Sequence, residues 1–240
     1  MGEEGNYAGG IALIVEGATE RVFYSELIRS RALVHGATVE RASDGDGTNV
    51  SVTRQDGSSE LVKINNVGTV TQMTNSAEWF FRACVARHRS IPWHVFLGYD
   101  TDDYFARITK FHQGDWKRLR DDITPEAASV TDLAASADIE DIMLCDYDGV
   151  LAFLGLREDT QLPKGRKGKV RMRQLHRMVA INRPYHEGER ARPLVQALDM
   201  GKIVKSAHTA RCARGYSLWL DAETSVKIEG SKVAFVYTHR

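Results

Sequence analysis

Little in this chain serves for cross-linking, for crossing a membrane or for drawing in a charged partner from a distance. Its three cysteines, Cys84, Cys145 and Cys212, are odd in number and far apart, which excludes both a disulfide framework and a zinc-ligand spacing. No apolar run approaches the roughly 20 residues of a membrane span. The opening stretch MGEEGNYAGG is acidic and glycine-rich, without the basic and apolar regions of a secretory signal, and Asn6 stands where a myristoylation signal carries Ser or Thr. Charge is balanced, 32 Lys and Arg against 32 Asp and Glu, so no global field attracts a polyanion and any such contact must come from local clustering. There is no G-x-x-x-x-G-K-[ST] stretch for ATP phosphates, no internal repeat and no low-complexity linker. These absences leave a reduced, cytoplasmic globular protein, and an apolar content of 42% is enough for a proper core.

What is present is organised around Ile11 to Ile28, IALIVEGATERVFYSELI. Five apolar residues, long enough for a strand buried on both faces, run into Glu16 and Gly17. Val22, Phe23, Leu27 and Ile28 then follow at the spacing of a helix that buries one side. A carboxylate thus sits at the carboxyl end of a buried strand, where open α/β sheets bind their ligands. Trp93 to Leu97 (WHVFL) repeats the arrangement and empties through Gly98 into Asp100, Asp102 and Asp103. If the two strands are neighbours, Glu16 meets Asp100 and Asp102 at one sheet edge. Carboxylates crowded in this way repel one another unless a cation neutralises them, and all-oxygen ligands favour Mg²⁺ or Mn²⁺.

These two motifs, VEGATE and YDTDD, resemble those of the TOPRIM superfamily of topoisomerases, primases and overcoming-lysogenization-defect (OLD) nucleases. The match is to small stand-alone TOPRIM proteins and OLD-type nuclease domains, and covers about Ile11 to Leu156. The resemblance implies an α/β fold, a TOPRIM-like Rossmannoid parallel sheet flanked by helices, with Glu16 as metal ligand or general base and Asp100 and Asp102 holding Mg²⁺. Asp103 is an additional acid that the core motif does not require. Asp138, Glu140 and Asp141 crowd a helix start, as capping and the helix dipole alone favour. The run D-I-E-D also resembles the family's third acidic element, which implies Glu140 as a further metal ligand and Asp141 as an additional acid. Asp146 and Asp148 are read as surface residues.

Between the two acidic strand ends, Ala37 to Ser43 is read as a short strand and Asp44 to Thr48 as an Asp-Gly turn. Val50 to Ile64 alternates around Asp56-Gly57 as a β-hairpin, an insertion over about 49–65. Lys63 in it is expected to be exposed. Ser76 is read as opening a helix with Cys84 on its buried stripe, and Phe105 to Leu119 as a helical pattern broken near Gly114. A TOPRIM-like domain over 8–156 is followed by a mostly helical extension over 157–240. That extension opens with LPKGRKGKVRMR, three lysines and three arginines with two glycines and no acid, a local foothold for a phosphodiester backbone. Lys164, Arg166, Lys167 and Lys169 are the candidate nucleic-acid contacts, unranked, and a lysine from Lys164 to Lys169 is expected to neutralise charge at the reacting phosphate. His176 is read as structural. A helix over Ser206 to Leu220 and a closing hairpin over Val226 to Tyr237 complete the expected extension.

The implied activity is Mg²⁺-dependent hydrolysis of DNA or RNA phosphodiesters. By resemblance it belongs to anti-phage defence, beside a partner ATPase, with self-association left open. Two other classes fit the same residues: a non-catalytic TOPRIM-like module that binds nucleic acid or a partner, and a phosphoesterase for small molecules.

Overall fold

The computed structural model describes residues 7–42, 49–68, 72–100, 113–135, 138–179, 184–209, 213–214 and 238–239. Strand β1 (Gly9–Val15) is buried along its whole length, and alternate residues serve opposite faces. Ile11, Leu13 and Val15 enter one core cluster and Ala12 and Ile14 the other. This two-sided burial is why the sequence reads as a continuous apolar run rather than an alternation. Helix α1 (Ala18–Val34) lays Val22, Phe23, Leu27 and Ile28 on the first face. It ends where Gly36 adopts φ +67°, a left-handed turn that glycine takes without strain.

Then come β2 (Thr38–Arg41), β3 (Val50–Thr53), β4 (Ser59–Asn66), α2 (Met73–Trp79) and a π-helical turn over Phe80–Val85. They are followed by β5 (Trp93–Asp100), α3 (Gln113–Ile123) and β6 (Ser129–Ala135). The sheet order is β2-β3-β4-β1-β5-β6, and the four strands β4, β1, β5 and β6 run parallel. The hairpin of β3 and β4 forms as expected, and its second strand pairs with β1, so it is part of the parallel centre as well as an interruption of the strand and helix alternation. Helix α1 covers one face while α2, the π turn and α3 cover the other through Ala77, Phe80, Cys84, Trp116, Leu119 and Ile123. Helix α1, which follows β1, and helix α3, which follows β5, therefore lie on opposite faces, the arrangement in which open α/β sheets bind ligands at the carboxyl ends of such strands.

The helices after β6, two from the 8–156 portion and three from the extension, form a layer on this sheet. Helices α4 (Ile139–Met143), α5 (Tyr147–Leu154), α6 (Gly168–Met178), α7 (Arg192–Ala197) and α8 (Met200–Thr209) share one core cluster with α1. Short strands β7 (Ala213–Arg214) and β8 (Thr238–His239) pair antiparallel with β6 and cover its free edge.

Several expectations are corrected. Lys63 is 1% exposed and not a surface lysine. Asp146 is buried rather than superficial: it caps α5 at the Gly149 N–H and accepts from the Asp199 N–H at 2.8 Å. Lys202 Nζ bridges it at 3.0 Å to the exposed Asp148. The second helix begins at Met73, three residues before Ser76, and Arg214 lies in β7 rather than in a helix. Phe105, Ile108, Phe111, Lys110, the Asp44 to Thr48 turn and the closing hairpin lie outside the described residues, as does Cys212.

Candidate functional site: an acidic cleft with one lysine

Backbone hydrogen bonds fix Glu16 from both sides. Its N–H donates to Gly98 O of β5 at 2.9 Å, and its carbonyl accepts from the Gly68 N–H just past β4 at 2.8 Å. The Asp100 N–H donates to Glu16 Oε2 at 3.3 Å. The two acids, 84 positions apart, therefore meet at the β1 and β5 ends. Gly17 starts α1, and a β-carbon there would lie 2.8 Å from Glu20 Oε2. Its absence lets the buried Glu20 carboxylate fold back toward the strand end.

The third contribution comes from the next parallel strand, since Asp100 pairs in register with Ala135 at the end of β6. Immediately beyond, Asp138 caps α4, its Oδ1 accepting from the Asp141 N–H at 3.1 Å and its Oδ2 from the Lys169 N–H at 3.0 Å. Glu140 is 1% exposed, and Tyr185 donates its hydroxyl proton to Glu140 Oε1 at 2.7 Å. Helix α6 approaches α4 so closely that a β-carbon at Gly168 would sit 2.2 Å from Asp141 N. That glycine permits the contact that brings Lys169 alongside the acids.

The electrostatics follow from burial and like charge. Burial, then the charges of Glu20, Glu16, Glu140 and Asp138, hold the Asp100 carboxyl well above its usual range. Glu20 is pushed up to about 7, by burial first and then by Glu16 and Glu187, against a lowering backbone hydrogen bond and Lys169. Glu140 also rises to about 7, through burial and Asp138, with Lys169 and the Tyr185 hydroxyl pulling the other way. Burial disfavours the Lys169 ammonium, yet Glu140, Glu187 and Asp100 outweigh it and hold the lysine protonated. Lys169 Nζ lies 3.1 Å from Glu187. Among the described residues, Asp100 Oδ1 and Glu140 Oε2 are buried without a hydrogen-bond donor. Negative charge so concentrated and so poorly satisfied suits a hard cation. No group of three acidic, histidine or cysteine side chains among the described residues is arranged to enclose one.

Of the residues expected from sequence, Glu16, Asp100 and Glu140 belong to one electrostatic cluster. Asp102 and Asp103 lie outside the described residues. Asp141 turns to Arg171, which donates to its Oδ1 at 2.9 Å, and so braces α4 against α6. In the basic stretch Lys164 and Arg166 are exposed and Lys167 is half-buried at the start of α6. The charge of Lys169 is coupled to the acids. Glu20, Tyr185 and Glu187 are additions. Glu20 is signalled in the sequence by its place one turn beyond Glu16, whereas Tyr185 and Glu187 follow no motif. His176 is buried, its ring 5.4 Å from that of Tyr185, as a packing residue would be.

Fold and site together define a Rossmannoid α/β protein with a carboxylate-rich cleft at the switch point of its sheet. Comparison with protein-family models, with characterised proteins and with solved structures finds no match to this chain. Among the described residues no helix is long and apolar enough to cross a membrane.

Proposed function

We propose that the cleft is the active centre of a divalent-cation-dependent nuclease of TOPRIM type, with DNA or RNA as substrate. The observation that carries this reading is the convergence of Glu16 and Asp100 from two strand ends with Glu140 from the first turn of α4, the Asp100 and Glu140 carboxyls raised, beside the protonated Lys169. Glu16, Asp100 and Glu140 would hold Mg²⁺ or Mn²⁺, together with Asp102. A cation there supplies Lewis-acid polarisation of the phosphodiester and offsets the charge that builds on its oxygens. Lys169, kept charged by its neighbours, places a second positive group against the same phosphate. Glu20, titrating near neutrality, is suited to take the proton of the attacking water. Tyr185 holds the Glu140 carboxylate in one orientation, and Asp138 fixes the start of α4 and the Lys169 backbone together. The exposed Lys164 and Arg166, on the approach to α6, provide contacts for the phosphodiester backbone away from the scissile bond.

A partner ATPase and a place in anti-phage defence belong to the same reading, and the cytoplasm is the compartment proposed. The test is incubation with plasmid, single-stranded DNA and tRNA in Mg²⁺, Mn²⁺ or EDTA. Metal-dependent cleavage lost in Glu16→Ala supports the reading; cleavage that survives Glu16→Ala, or none with any nucleic acid, removes it.

A further inference from the structure

A second concave site lies beyond the acidic cleft, between α1, the β2 to β4 strands and the turn that opens α7. Its cavity volume is about 400 Å³, within the range of pockets that take small molecules. Among the described residues four arginines line it against two glutamates, in a chain whose formal net charge is zero. These arginines come from three separate segments: Arg21 and Arg29 from α1, Arg41 from β2 and Arg192 from α7. Their gathering is a product of the fold and not of a basic run in sequence.

The chemistry is divided. Glu189 clasps two of the guanidinium groups, its Oε1 accepting from Arg21 Nη2 and its Oε2 from Arg192 Nη2, each at 2.5 Å. Both planar groups are thereby held at the pocket with donors to spare. Arg21 Nε, buried, has no acceptor among the described residues. Arg29 and Arg41 are exposed at the rim. Between them the wall is apolar, made by Ile28, Val39, Val50 and Ile64, with Asn49, 2% exposed, the one amide side chain of the lining.

We propose that this pocket binds a phosphorylated nucleoside, the heterocycle lying on the apolar wall and the phosphate meeting the arginines. Guanidinium groups in a fixed fork match phosphate oxygens in a way that lone lysines do not. An apolar wall beside them is what separates a nucleotide site from a site for phosphate alone. The ligand has two sources with this chemistry, a free nucleotide or the phosphorylated end of a strand. The same turn carries Glu187, paired with Lys169, and Glu189, paired with Arg21 and Arg192.

The test is titration calorimetry of the full chain in EDTA, which keeps divalent ions from holding phosphates at the acids. AMP, GMP, inorganic phosphate and a short oligonucleotide with a 5′-phosphate or a 5′-hydroxyl are the titrants. At least one monophosphate, free or at the strand end, is expected to bind saturably, and inorganic phosphate about tenfold more weakly. Arg29→Ala and Arg192→Ala each weaken that binding by about tenfold, with melting curves confirming the fold. Lys169→Ala leaves it unchanged, so failure here is distinguishable from failure of the nuclease reading. A preference for the free nucleotide or for the 5′-phosphorylated strand names the source, and either supports the site. The proposal is overturned if no titrant binds at millimolar concentration. It is equally overturned if phosphate binds as well as the nucleotides, or if Lys169→Ala abolishes binding while both arginine variants retain it.

Discussion

Two carboxylates on adjacent strands, Asp132 of β6 and Asp100 of β5, live under opposite rules. Asp132 Oδ2 accepts from Arg120 Nη2 of α3 in an ion pair whose two side chains are 10% and 13% exposed. Tyr99 beside them, stacked on Trp116 with centroids 4.6 Å apart, has its hydroxyl pushed up to about 12, by burial and then by Asp132. On that face, a buried negative charge is met by a positive one. Asp100 is placed among Glu16, Glu20, Glu140 and Asp138, and the Lys169 ammonium counters the charge of Glu20 and Glu140. A sheet that neutralises its charge on one side and concentrates it on the other has one structural pair and one site kept ready for something positive.

Substitutions that treat the two regions alike break the comparison fastest. Asp100→Asn is expected to cut nucleic-acid cleavage by on the order of a thousandfold, while leaving metal-free stability equal to or above that of the parent, since it removes a repelled charge. Arg120→Ala does the reverse. Leaving Asp132 buried without its partner costs about 3 kcal/mol of stability, read as a lower denaturant midpoint, with cleavage per folded molecule close to that of the parent. Equal stability losses in the two variants would refute the distinction.

Within the basic stretch, Lys169→Ala is expected to lower the cleavage rate by roughly a hundredfold. The exposed Lys164→Ala should act mainly through substrate affinity and its salt dependence, a smaller effect that high salt erases. The opposite ranking of the two lysines would give the role to Lys164.

The acidic cluster also dictates a pH dependence. Glu20 and Glu140 sit at about 7 in the fold against an ordinary value of 4.5. Between those values the folded state binds more protons than the unfolded one, so stability is highest at the acid end of the window and falls as pH rises through it. In EDTA the loss amounts to at most roughly 3 kcal/mol for each group, and a bound divalent cation should flatten it. Chemical denaturation between pH 5 and pH 8, with and without Mg²⁺, measures both slopes. A metal-free stability that rises across that range contradicts the assignment.

The strands β1 and β5 were legible in the sequence because each is an apolar run that ends abruptly in acid, and the start of α4 because capping chemistry marks it; capping alone does not single out Glu140. Other parts were not. β6, SVTDLAA, carries too few large apolar residues to announce itself, and β7 exists only through its pairing with β6. Lys63 looks like an exposed strand lysine because its neighbours alternate, yet β4 has a core cluster on each face, with Val62 in one and Leu61 in the other. Nothing in LPKGRKGKVRMR ranks its lysines. Position 168, where only a glycine fits against α4, decides that Lys169 faces the acids. The pairing of Tyr185 with Glu140 spans 45 residues and depends on how α6 and the chain after it fold back.

Direct titration of the chain with Mn²⁺ or Mg²⁺ by calorimetry reaches the central claim without any substrate. A saturable site is expected in the parent protein, abolished in Asp100→Asn and retained in Arg120→Ala. No divalent binding in the folded parent protein, or binding that Asp100→Asn leaves intact, would contradict the account.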